Sequence, residues 1–225
     1  MISTATAIGS VPRPSRAARP RDAATLIIVD RSTPQIRLLM GRRSAGHGFM
    51  PNKWVFPGGR IERGDFNLPC ASELVQEVST ALEEGLAKPR ARALAATAIR
   101  ETFEETGLLL GVKSQQSCDR PAWRGFFAHG LAPDLDGLAY IARLITPPLR
   151  PKRFDTRFFL VDADRLHSRA PMDSRELEEV DWLSMEQALA LDLALPTRMM
   201  LGDLAQRLTQ PERPVLFRRF RSPGG

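Results

Sequence analysis

The sequence predicts an α/β fold in which a mixed β-sheet lies between helices. Three observations carry this. Short β-rich apolar runs recur along the chain, two stretches place apolar residues at helical spacing, and the two kinds of element interleave without a strict βαβ rhythm.

The first strand is expected at residues 24–29 (ATLIIV) and the second at 35–40 (QIRLLM), with a polar turn around Pro34 between them. A third, at 53–56 (KWVF), stops abruptly at Pro57-Gly58-Gly59. Residues 72–87 then place Leu74, Val75, Val78, Leu82 and Leu86 at helical spacing, with Gly85 near the end. A second helix is expected over 89–106. Pro89 suits its first turn and Gly107 its C-cap. On this helix Ala95, Ile99, Thr102, Phe103 and Thr106 form one stripe, and Glu101, Glu104 and Glu105 should lie opposite it, facing a cleft. Further strands are expected at 108–112, 138–145, 156–161 and 180–183, and further helices at 184–191 and 197–208.

At 225 residues with 43% hydrophobic content, the chain suits one domain with extensions. The expected division is a disordered basic tail over 1–22, the folded domain over 23–210 and a basic C-terminal tail over 211–225. The net charge of +6 belongs to the ends: residues 1–21 carry +4, residues 211–225 carry +3, and the remainder is about −1. Nucleic-acid binding by the core is therefore not expected. No apolar run approaches the eighteen or so residues that a membrane span needs. Cys70 and Cys118 are isolated, which fits a reducing, cytoplasmic setting. Three scattered histidines make a His-built zinc site unlikely.

Residues 100–111, RETFEETGLLLG, hold the chemistry. Glu101, Glu104 and Glu105 share one helical face, where like charges cost about 0.2–0.5 kcal/mol per pair. Two readings stand open on the residues alone. One is a solvated acidic face tempered by Arg100; the other is a hard divalent cation held by clustered carboxylate oxygens.

With Phe56–Asp65 upstream, this stretch resembles the box of the Nudix hydrolase family, G-x5-E-x7-R-E-U-x-E-E-x-G-U. Arg100, Glu101, Glu104, Glu105, Gly107 and Leu108 match the second half, and Gly59 matches the leading glycine. Thr102 replaces an aliphatic residue, and Asp65 stands where the first glutamate belongs. In place of seven residues, 34 separate Asp65 from Arg100, so the box reads as interrupted by a helical insertion over about 66–92, which loop-closure entropy penalises only weakly. The stretch LLMGRRSAGHGFMPNKWVFPGG further resembles the coenzyme A diphosphatase subgroup. Leu38-Leu39, Arg43-Ser44 and Phe56–Gly59 fit its signature, while Gly48 and Asn52 stand where a second arginine and a glycine are usual.

The resemblance implies a Nudix-type α/β/α sandwich and Mg2+- or Mn2+-dependent cleavage of a nucleoside diphosphate derivative, with coenzyme A or acyl-CoA leading. It implies that Glu101, Glu104, Glu105 and the Gly58 carbonyl hold the metal, and that Arg100 orients the glutamates. Arg42, Arg43 and Gly59 are expected at the substrate, with the arginines able to clamp phosphate. A surface Arg pair is the alternative for the first two. An acid outside the box, Glu176, Glu178 or Glu179, could complete the site. Asp65 could be a turn residue or the stand-in for glutamate, and His47 a loop residue or a substrate contact. Two other functions stay open: hydrolysis of ADP-ribose or a dinucleotide, and a non-catalytic Nudix-like ligand-binding module. The inserted helix could dock on the domain, form a homodimer contact or act as a lid.

Overall fold

The computed structural model describes residues 18–148, 150–174 and 176–219. The disordered tail expected at the N-terminus lies mostly outside them.

Strand β1 (Arg21–Asp30) starts inside the stretch read as a tail and is the centre of the fold. It pairs antiparallel with β2 (Arg37–Arg43) and parallel with β8 (Phe154–Asp162). Beyond β2 lie β3 (Trp54–Val55) and β9 (Leu177–Ser184), both antiparallel to it. Beyond β8 lies antiparallel β7 (Ala139–Ile145). The outermost strand, β10 (Leu216–Arg219), pairs parallel with β7, so part of the expected basic tail over 211–225 is built into the sheet. Leu216, half-buried against the core, supplies the apolar anchor. Both glycines of the Pro-Gly-Gly stop belong to β4 (Gly58–Arg60), which returns antiparallel onto β1.

Alternate residues of β1 point to opposite faces and feed two cores. Ala24, Leu26 and Ile28 pack under α2 (Lys88–Thr106), with Ala95 and Ile99. Ile27 and Val29 pack against Met200, Leu201 and Leu204 of α5 (Leu195–Arg207) and Ala188 of α4 (Met185–Ala190). The result is the expected mixed sheet between helical layers.

α2 starts with Pro89 in its first turn and ends on Gly107 at φ 70, a left-handed C-cap that a side chain would strain. It is more buried than a one-sided stripe predicts. Ala93 through Arg100, Thr102, Glu105 and Thr106 are all buried, because α1 (Gln76–Glu83), α3 (Pro121–Phe127) and a 3-10 turn at Arg63–Asp65 pack around it. Thr102 and Thr106 tolerate this by donating their hydroxyls to carbonyls four residues back, at 2.8 and 2.6 Å, and Thr97 has its single hydroxyl hydrogen within reach of both the Ala93 carbonyl and Asp65, each at 2.8 Å. The strand expected at 108–112 lies slightly later, as β5 (Gly111–Lys113); sequence periodicity missed α3 and β6 (Leu131–Pro133), which pairs with β5 in a small hairpin.

The first expected helix is shorter than 72–87. Ser72 donates to Asp134 (2.6 Å) and accepts the Leu135 and Asp136 amides, and this holds the chain out of helical geometry until Val75.

Candidate active site

Glu101 and Glu104 of α2 open onto a cavity of about 610 Å³, and Glu105 is buried behind them. Glu62, Glu101, Glu104, Arg100, Gly58 and Gly59 line one part of it, and Arg43, His47 and Glu176 another.

Arg100 is 2% exposed and organises the carboxylate side. Its Nε donates to Asp65 Oδ1 (2.9 Å) and its Nη2 to Asp65 Oδ2 (3.1 Å) and the Arg60 carbonyl (2.9 Å). Its Nη1 reaches Glu104 Oε2 (2.7 Å) and Glu101 Oε1 (3.0 Å). Burial opposes the guanidinium's charge, but its hydrogen bonds to Asp65 and the charges of the surrounding carboxylates outweigh it and raise its pKa.

Asp65 is fully buried and is a structural anchor. Besides Arg100 it accepts from Thr97 Oγ1 (2.8 Å), Trp123 Nε1 (3.0 Å) and the Glu62 amide (2.8 Å). Trp123, on the unpredicted helix α3, escaped the sequence reading; no spacing rule links it to residue 65. The 34-residue gap costs this network nothing in geometry, since Asp65 and Arg100 still meet.

Glu105 is 3% exposed, and its Oε2 accepts the Gly58 amide at 2.9 Å. Burial, with repulsion from Glu101, pushes its carboxyl up to about 8 against the attraction of Arg43 and the Gly58 amide. Burial pushes Glu101 up to about 7; Arg100 opposes this, and Glu104 and Glu176 add to it. Glu104, the most exposed of the three, is also raised, mainly by burial. Gly59 sits so close to Glu101 that a Cβ there would lie 2.4 Å from the carboxylate. Gly59→Ala should therefore push Glu101 aside and cut activity by about 100-fold while leaving the melting temperature nearly unchanged; steady-state kinetics with a thermal melt checks this.

The arginine pair separates, because consecutive strand residues face opposite ways. Arg43 reaches the cavity. Its Nη1 lies 3.0 and 2.9 Å from the two ring nitrogens of His47, and its Nε is buried with no acceptor among the described residues. Burial lowers its pKa, while Glu105, Glu176 and Glu101 hold it up. Arg42, expected at the substrate, is not among the residues that line the cavity. Its Nη2 pairs with Glu178 (3.3 Å) and Glu179 (2.6 Å), where a bulge in the β2–β9 register brings both acids to it. Those pairings take Glu178 and Glu179 away from the site, and Glu176 is left as the cavity-lining acid, 3.8 Å from His47 Nε2.

Among the described residues no three His, Cys, Asp or Glu side chains are gathered as a metal-ligating group. Glu101 leans to Arg100 and Glu105 to the Gly58 amide. The donor chemistry nevertheless suits a hard cation. These are carboxylate oxygens, partly desolvated and mutually repelling, beside the fully engaged guanidinium of Arg100. Gly58 meets this bank of carboxylates through its amide, which donates to Glu105.

A family model described as the NUDIX domain matches residues 19–203. The chain is 29% identical over 192 residues to a protein named putative nudix hydrolase 7 of Caenorhabditis elegans, covering 78% of this chain and 57% of that one. It is 33% identical over 135 residues to acyl-coenzyme A diphosphatase NUDT19 of Xenopus laevis, covering 41% of this chain and 35% of that one. With the Gallus gallus protein of the same name it is 27% identical over 207 residues, at 68% and 55% coverage. The chain thus spans from about a third to just over half the length of these relatives. A solved NUDIX hydrolase from Alicyclobacillus acidocaldarius superposes with a TM-score of 0.62 at 30% identity, covering 84% of this chain and 92% of that one.

Proposed function

The chain belongs to the NUDIX domain family, and on that premise we propose that it hydrolyses the diphosphate linkage of a nucleoside diphosphate derivative, with coenzyme A or an acyl-CoA as the leading substrate. One observation carries the reading most: Arg43, whose buried Nε has no acceptor among the described residues, lines a cavity that Glu62, Glu101 and Glu104 also line. An orphaned buried donor is costly. A phosphate oxygen would satisfy it.

In this reading Glu101, Glu104 and Glu105 hold Mg2+ or Mn2+, with the Gly58 carbonyl as a further donor. When bound, such an ion neutralises phosphate charge and lowers the pKa of water. The chain's own groups do the rest. Arg100, fixed by Asp65, keeps Glu101 and Glu104 in place. Arg43 grips the diphosphate and is itself held over the His47 ring. Glu176, which lines the cavity 3.8 Å from His47 Nε2, would accept the proton of the attacking water. The acyl-CoA diphosphatase relatives favour coenzyme A among the candidate substrates.

Coenzyme A, ADP-ribose and NADH offered in parallel with Mg2+ or Mn2+ test this. Preferred release of adenosine 3′,5′-bisphosphate from coenzyme A is the expected result. Faster turnover of ADP-ribose or NADH would overturn the substrate. No turnover of any would overturn the hydrolase reading in favour of a ligand-binding module.

A further inference from the structure

The part of the cavity away from the glutamates is basic in a way the diphosphate does not use. Arg19, Arg21, Arg60, Lys152 and Arg153 all line it. Arg153 donates to the Thr146 and Ala18 carbonyls, and Lys152 to the Gly48 carbonyl at 2.7 Å. Arg19, Arg21 and Arg60 make no side-chain hydrogen bond, and none of the five makes an ion pair, among the described residues. Elsewhere the arginines are mostly matched to carboxylates, as at Arg37–Asp30, Arg92–Glu73, Arg143–Asp155 and Arg165–Asp134. Arg19, Arg21, Arg60, Lys152 and Arg153 thus bring five cations without a carboxylate partner among the described residues to one cavity.

The sheet register fixes where they stand. Arg60 on β4 lies directly across from Ala23 on β1, so Arg21 and Arg60 are diagonal neighbours on one face, about 7–8 Å apart at their Cα atoms. Thr25, on the same face, pairs with Gly58, whose amide meets Glu105. At about 3.3 Å per residue, the Arg60–Arg21 end is roughly 7–13 Å along β1 from the glutamate end. Phe154, opposite Arg21 on β8, packs edge-to-face on Phe49 (5.2 Å between centroids) and lends an aromatic surface beside the cations.

We propose that this end of the cavity is a subsite for a phosphate monoester that the substrate carries in addition to its diphosphate, with Arg21 and Arg60 as its principal contacts. The inference rests on the reading of the glutamate end as the diphosphate site. It makes the cavity selective for nucleotides with a separate phosphate on the ribose over otherwise identical molecules without one. A doubly charged monoester between two guanidiniums gains charge-assisted hydrogen bonds that the unphosphorylated analogue cannot make. Neither side chain makes a hydrogen bond or ion pair in the described structure, so replacing both removes charge without breaking an internal contact.

The test compares kcat/KM for coenzyme A and 3′-dephospho-coenzyme A on the wild-type chain, Arg21→Ala/Arg60→Ala and Arg21→Lys/Arg60→Lys. The wild type should prefer coenzyme A by about tenfold or more. The alanine pair should bring the two substrates to near parity, and the lysine pair should retain much of the preference. Parity in the wild type, or an undiminished preference in the alanine pair, overturns the subsite. If the wild type turns over neither compound, it is the hydrolase reading that fails. Calorimetric titration with adenosine 3′,5′-bisphosphate against AMP then decides the subsite. Tighter binding of the bisphosphate that is lost in the alanine pair supports it; equal binding overturns it.

Discussion

Glu105→Gln is expected to abolish turnover, by a factor of at least about 1,000, and to melt higher than the wild type in metal-free buffer. The two effects share one cause. Glu105 is buried beside Glu101 with one backbone amide as its hydrogen-bond donor, so ionising it costs stability. Its folded-state pKa of about 8 lies above the usual carboxylate value, so the folded state binds the proton more tightly than the unfolded chain. Stability contributed by this group is full at low pH and falls as pH rises from about 4 to about 8. Glutamine mimics the neutral form and removes that loss, and at this chain length each kcal/mol regained raises the melting temperature by about 2–4 °C. The gain should be largest near pH 8 and vanish near pH 4. Turnover is lost because glutamine cannot carry the anionic charge that a divalent cation requires. Melting curves at the two pH values with a turnover assay check both halves; a variant that still turns over substrate would refute the role given to Glu105.

Asp65→Ala should have the largest structural effect. It strips acceptors from Arg100, Thr97, Trp123 and the Glu62 amide at once. Arg100 would keep its charge at 2% exposure with its main counter-charge gone. Removing one partner of a buried pair costs about 3–5 kcal/mol, a large part of a typical domain's stability. The expected drop in melting temperature is about 6–20 °C. Asp65→Glu, the residue usual at this place in the family's box, should fall between the two. It keeps the charge but forces an extra methylene into a fully buried space. Thermal denaturation followed by circular dichroism settles it, and an Asp65→Ala melt within 2 °C of wild type would remove the network from the account.

Local signals were legible in the sequence where one element carries them. Pro89 and Gly107 bounded α2 to within a residue, and the apolar run at 24–29 located the core of β1. Arg100, Glu101, Glu104 and Glu105 stand together because helix spacing alone puts them there. What could not be read depends on contacts between distant segments. Trp123 meets Asp65 across 58 residues, and the acids that occupy Arg42 lie 136 and 137 residues away. The arginine pair on β2 splits by strand alternation, yet which member faces the cavity depends on which side of the sheet closes it. β10 escaped because a four-residue edge strand with two arginines looks like a basic tail until its register with β7 is known.

The central claim is that Glu101, Glu104 and Glu105 hold a divalent cation at the mouth of this cavity. Titration of Mn2+ into the wild-type chain and into Glu101→Gln/Glu104→Gln/Glu105→Gln, with free Mn2+ followed by electron paramagnetic resonance, tests it without reference to any substrate. The account predicts binding by the wild type that is lost in the triple variant while its circular dichroism spectrum stays native. Equal binding by both chains, or none by the wild type with a diphosphate ligand present, would contradict it.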